Sequence, residues 1–292
     1  MRWRVMRLVG FAWILTVISV GATACSNGED ADSTVAHNDP VVTNTDAMTP
    51  ASDPEPTTTA PTSADGPVVY VAMGDSINSS PGHPDGVVWQ YAERLEERFG
   101  VEVDLRNWVF KGVSTSQLLD YLDSNPNLRA DLAEADVVTT DIPIRVWVSP
   151  LRIAGGWDEE DPTACGGDDN QQCLREALEE YKADTDAIID TVVSLCRSDA
   201  QIRLLDVYML KTGFKLEAGT LDTVNPYWKA GMDHIEESAE RYGIPVAHVY
   251  DAFMGPSGTD DPYTKGLLAD DQLHPNAQGA SLIAQLLDEL DS

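Results

Sequence analysis

Two short stretches carry residue types suited to nucleophilic chemistry. "VAMGDSINSS", residues 71 to 80, sets Gly74, Asp75 and Ser76 directly after an apolar run. "DDQLHPNAQG", residues 270 to 279, sets Asp271 and His274 ahead of a helix-patterned segment. A serine hydroxyl becomes a useful nucleophile when a base takes its proton, and imidazole suits that task near neutral pH. Asp271 lies three residues before His274, close enough for one turn to bring its carboxylate to the imidazole Nδ1. There it would fix the tautomer and stabilise the imidazolium formed on proton transfer. Pro275 suits the first helical position, so the ring is expected just ahead of a helix start. The other histidines offer less. His37 lies in a polar tail, His83 in a loop, His234 on the expected exposed side of a helix, and His248 within an expected strand as a packed core residue. Acyl transfer also needs donors aimed at the developing oxyanion. Backbone N–H groups of Ser76 and of Gly112, in "NWVFKGVSTSQLL", are available for it. Gly74 lets the chain turn without a Cβ clash, and Asp75 is expected to cap that turn.

These residues need elements that bring them together. From Pro67 onward, apolar runs alternate with helical patterns. Strands are predicted at 67–73, 101–109, 136–142, 201–209 and 244–250. Helices are predicted near 87–99, 115–134 (broken around "NPN"), 173–196, 225–242 and 275–290. Val88, Ala92, Leu95 and Phe99 share one helical face, as do Gly279, Ile283, Leu286 and Leu290. Strands separated by helices imply parallel crossovers and a sheet covered on both faces, hence a three-layer α/β/α sandwich. Ligands of such sheets bind beyond the carboxyl ends of the strands, where Ser76 falls.

In this order and at these strand ends, "VAMGDSINSS", "NWVFKGVSTSQLL" and "DDQLHPNAQG" resemble three of the four signature blocks of the GDSL/SGNH hydrolases. The resemblance spans roughly residues 67 to 290. It implies a flavodoxin-like sandwich with a mainly parallel five-stranded sheet, and a serine esterase or lipase activity needing no metal or organic cofactor. The family's nucleophile falls on Ser76, its oxyanion-hole glycine on Gly112, and its acid and base on Asp271 and His274. The fourth block departs. Where the family carries Gly-x-Asn-Asp, this chain reads Pro143, Ile144, Arg145 and Val146. Arg145 stands at the position of the Asn, a third oxyanion donor. Its guanidinium is available to stabilise an oxyanion, to fill the hole, or to pair with Asp141. The expected substrate is a small-molecule, lipid or glycan ester. Two alternatives share the fold: an envelope-binding protein without turnover, and an acyltransferase on a cell-surface glycan.

The chain has 292 residues and a formal net charge of −30. Residues 1–24 hold Arg2, Arg4 and Arg7, an apolar run too short for a comfortable membrane span, and small residues up to Cys25, the layout of an export signal. "ATAC" resembles a lipobox with Cys25 as the lipidated residue, and "ATA" equally suits ordinary cleavage. The protein is therefore expected to be exported, as a surface lipoprotein touching the membrane only through this anchor, or free. Residues 25–66 are rich in Thr, Ser, Pro and Asp and read as a disordered tether, which leaves 67–292 as the esterase-type domain. Without the three leader arginines, 16 basic residues face 49 acidic ones, a net −33 that disfavours nucleic acid as a partner. A monomer is expected. The acidic loops "WDEEDPTACGGDD" and "GTDDPY" lack EF-hand spacing, so no metal site is expected.

Cys173 and Cys196 bracket one predicted helix and would lie about 35 Å apart. Cys165 is the better partner for Cys173, which leaves Cys196 as a buried free thiol. The segment 148–172 is long for a connection and is expected to border the crevice, with Trp147 and Trp157 as wall candidates.

Overall fold

The computed structural model describes residues 66–154 and 164–290. The expected export signal, Cys25, nearly all of the expected tether and Trp157 fall outside the described residues. Five strands form one parallel sheet: β1 (Val68–Gly74), β2 (Val103–Val109), β3 (Val137–Asp141), β4 (Gln201–Leu205) and β5 (Val246–Ala247). Their order is β2-β1-β3-β4-β5. Interior β1 is buried from Tyr70 to Gly74, as an apolar run covered on both faces must be.

Strand order reverses after β1, so right-handed crossovers send helices to opposite faces. On one face α2 (Val87–Phe99) packs against α10 (Ala277–Glu289). On the other, the long α6 (Gln172–Leu195) packs against α3 (Thr115–Ser124), α4 (Pro126–Glu134) and α8 (Leu221–Glu240). The predicted three-layer sandwich is the observed one. The break in the second predicted helix falls at Asn125, whose side chain caps α4 through Asn127 N and Leu128 N. The disulfide between Cys165 and Cys173 is present, with Cα atoms 4.9 Å apart. Cys196 is a half-buried free thiol, and burial pushes its pKa up to about 12.

Several expectations are corrected. The strand predicted at 244–250 shrinks to two residues, because Val249–Met254 forms a short helix, α9, with the Asp206 carboxylate accepting Tyr250 N at 2.7 Å. His248 is accordingly not a core residue; its side chain is 51% exposed at the start of α9. His234 is not on an open face but is packed between α6 and α8, 3.0 Å from Asp186. The strand predicted to reach residue 209 stops at Leu205, and the chain then turns into the buried segment Val207–Leu210. Trp147 is fully buried against Tyr181 and Trp228, at 5.8 Å from each, so it does not wall a crevice. Helices at Ser76–Ser79 (α1), Val148–Ala154 (α5) and Thr212–Ala218 (α7) were not anticipated.

Candidate active site

The register aligns the strand ends that build the site. Met73 pairs with Thr140 and Gly74 with Val109, so β1, β2 and β3 end at one level. Beyond β1 the chain turns at Gly74, with φ of +116°. A Cβ there would stand 1.9 Å from Asp141 Oδ1, so close approach as well as backbone angle requires glycine. Asp75 caps α1, as expected, and Ser76 is its first residue.

The segment carrying His274 is fixed by its own hydrogen bonds. Asp271 Oδ1 accepts from Leu273 N at 2.9 Å and from His274 N at 3.0 Å. Ala269 N donates to His274 O, and Tyr208 donates its hydroxyl to Leu273 O at 2.7 Å. Tyr208, buried and stacked on Phe253, thereby anchors the loop from beneath. Helix α10 begins two residues later than predicted. Asn276 is its cap, accepting from Gln278 N and Gly279 N, and Pro275 lies just outside.

Across 198 residues of chain, Ser76 Oγ and His274 Nε2 stand 2.9 Å apart, and Asp271 Oδ2 is 2.6 Å from His274 Nδ1. With Nδ1–H donating to Asp271, Nε2 is the lone-pair nitrogen, and the serine hydroxyl donates to it. Burial alone would raise the Asp271 pKa, but hydrogen bonds from the His274 ring and from backbone N–H groups prevail and hold it below the usual carboxylate range. The three residues selected from sequence thus form one continuous chain of hydrogen bonds.

The expected oxyanion donors also converge, with an addition the sequence did not reveal. Ser76 N and Gly112 N both donate to Asp75 Oδ1, at 2.5 and 2.7 Å. Two N–H groups aimed at one oxygen make an anion pocket, and Asp75 occupies it. Behind it, buried Asp141 accepts from Asp75 N at 3.0 Å and from Asn78 Nδ2 at 2.5 Å. Burial, then the Asp75 charge, pushes the Asp141 pKa well above the usual range. Arg145 neither pairs with Asp141 nor fills the pocket. Exposed on a short 3-10 turn after β3 (Arg145–Trp147), it donates Nη1 to Gly112 O at 3.4 Å. Asn78 and Tyr208 were missed, and Asp141 was expected only as a partner for Arg145, because nothing in their local spacing marks these roles.

Ser76 and His274 open into a cavity of about 350 Å³. Ile77, Ile144, Val148, Leu210 and Leu273 form its apolar wall, while Arg145 and Arg152 bring positive charge. Of the segment 148–172, expected to border the crevice, Val148 and Arg152 of α5 do so, and residues 155–163 lie outside the described residues.

The parallel sandwich, with its polar residues at the strand ends, has the fold of solved GDSL-like lipases. Comparison with known proteins agrees. The spore germination lipase LipC of Bacillus licheniformis is 24% identical over 233 residues, covering 75% of this chain and 93% of that one. A crystallised lipase from a goat rumen metagenome superposes with a TM-score of 0.60 at 20% identity, covering 76% of this chain and 96% of its own. A protein of Parabacteroides merdae, described as a GDSL-like lipase, gives a TM-score of 0.54 at 18% identity, covering 77% and 95%. No protein-family model matches the chain.

Proposed function

We propose that this chain is an exported serine ester hydrolase that works through an acyl-enzyme. The observation that carries the reading is the unbroken hydrogen-bond chain from Ser76 through His274 to Asp271, at the carboxyl end of β1 and open to an apolar crevice. His274 Nε2 takes the Ser76 proton as Oγ attacks the ester carbonyl. The new C–O bond places negative charge on the former carbonyl oxygen, which Ser76 N and Gly112 N are placed to receive once the Asp75 carboxylate turns away from them. The imidazolium, held by Asp271, gives its proton to the departing alkoxide. The same histidine then activates water, which adds to the acyl-enzyme, and the acid leaves. The apolar wall suits an acyl chain, in keeping with the lipase names of the similar proteins. Export is supported by the composition of residues 1–25.

One observation favours a second reading, a binding protein without turnover: Asp75 holds both oxyanion donors, and the usual Asn is replaced. Hydrolysis of 4-nitrophenyl acetate separates the two. The hydrolase reading predicts measurable turnover, lowered about 10³-fold or more by Ser76→Ala. No hydrolysis by the wild type, with lipid or wall-polysaccharide binding that survives Ser76→Ala, favours the second.

A further inference from the structure

We propose that the crevice selects esters carrying an anionic group, and that Arg145 is the specificity-determining residue. The proposal rests on the hydrolase reading above and deepens it. It begins from an imbalance. Acidic residues outnumber basic ones 49 to 19, and most guanidinium groups among the described residues find a carboxylate. Arg94 and Arg98 meet Asp288, Arg106 meets Asp131, Arg175 meets Asp169, Arg197 meets Asp136 and Arg241 meets Asp186. Arg145 makes no ion pair among the described residues. Its one hydrogen bond among the described residues is the 3.4 Å contact to Gly112 O, which leaves most of the five N–H donors of this exposed residue without a partner there.

Its place is equally specific. The contact to the Gly112 carbonyl puts the guanidinium beside the residue whose N–H shares the anion pocket. The acidic groups near the crevice are engaged elsewhere. Asp271 is engaged by His274, and Asp75 holds Ser76 N and Gly112 N in the resting site, the two bonds it gives up when the oxyanion forms. Arg152 lines the same crevice, but the proposal stands on Arg145. The five apolar wall residues recognise length and shape and cannot recognise charge. A carboxylate or phosphate offers two oxygens to a guanidinium fork, and a neutral ester offers none that needs it. The substrate is therefore an amphiphilic ester, with an apolar part along the wall and an anionic part on Arg145.

Three chromogenic pentanoate-length esters test this: neutral 4-nitrophenyl pentanoate, mono-4-nitrophenyl glutarate with its carboxylate on the acyl side, and 3-carboxy-4-nitrophenyl pentanoate with its carboxylate on the leaving side. The readout is each anionic ester's kcat/KM divided by that of the neutral ester. For at least one anionic probe, Arg145→Gln is expected to lower the ratio about tenfold. In the wild type, 0.5 M NaCl is expected to lower the same ratio, because an exposed guanidinium is screened. Should Arg145→Gln fold poorly, Arg145→Lys, which keeps a charge but loses the guanidinium fork, is read in its place. A ratio that falls with salt yet ignores both substitutions assigns the effect to another cation such as Arg152 and overturns the proposal. Ratios that ignore both salt and the substitution, with all three esters hydrolysed, overturn the proposal and leave the hydrolase reading standing. No hydrolysis of any ester overturns both.

Discussion

At the scale of single residues, the site divides by what each side chain does locally and what it does at a distance. Asp271 has two jobs on two oxygens: Oδ1 folds its own turn through Leu273 N and His274 N, and Oδ2 orients the imidazole. Asp271→Asn keeps the first and inverts the second, since an amide can present N–H to Nδ1 and favours the wrong tautomer. The expected outcome is a loss of about 10²- to 10⁴-fold in kcat with little change in the urea midpoint. A fall in stability equal to that in activity would contradict it. The depressed Asp271 pKa also sets a sign. Its orienting charge is retained below the usual carboxylate range and lost only as pH falls through the folded-state value. Ser76, Asp271 and His274 were legible because polar groups at the ends of apolar runs stand out. The grip of Asp75 on Gly112 N was not, because it depends on two strand ends meeting across 37 residues. His248 was misplaced because "VAHVYDAF" suits a buried strand or a helix start equally, and periodicity cannot choose.

Among the elements, β1 does the most to place the chemistry, and Gly74 is where it hands over to α1. Gly74→Ala would force a Cβ into the Asp141 carboxyl at an unfavourable φ of +116°, with no flexible neighbour to yield. It is expected to cost about 2–4 kcal/mol of stability by urea denaturation. Gly100→Ala is the control: it also has positive φ, but open space surrounds its Cβ, so about 1 kcal/mol is expected. Equal losses in the two variants would show that the Asp141 contact carries no weight. The long helices and interior strands were legible from their apolar periods. The short helices α1, α5, α7 and α9 were not, because one or two turns leave too few residues to show a period, and tertiary contacts hold them. The cap of α10 was placed two positions early for a related reason. Pro275 suits a helix start, yet Asn276 has the side chain that caps, bonding both Gln278 N and Gly279 N.

At the largest scale, the parallel sheet and its reversal beside β1 bring the first strand and the last helix entrance of the described residues to one crevice. Alternating strand and helix patterns were enough to read that architecture. Which strand ends would align was not readable, since register is set by side chains from several elements at once. The acidic excess is a property of the surface and bears on solubility more than on chemistry. The central claim is the meeting of Ser76 with His274 in a reactive pair, and a fluorophosphonate probe reads it directly. Peptide mass spectrometry of the labelled protein is expected to find one phosphonyl adduct, on Ser76, formed much more slowly in His274→Ala. An unlabelled protein, or an adduct on another residue at the wild-type rate in Ser76→Ala, would contradict the account.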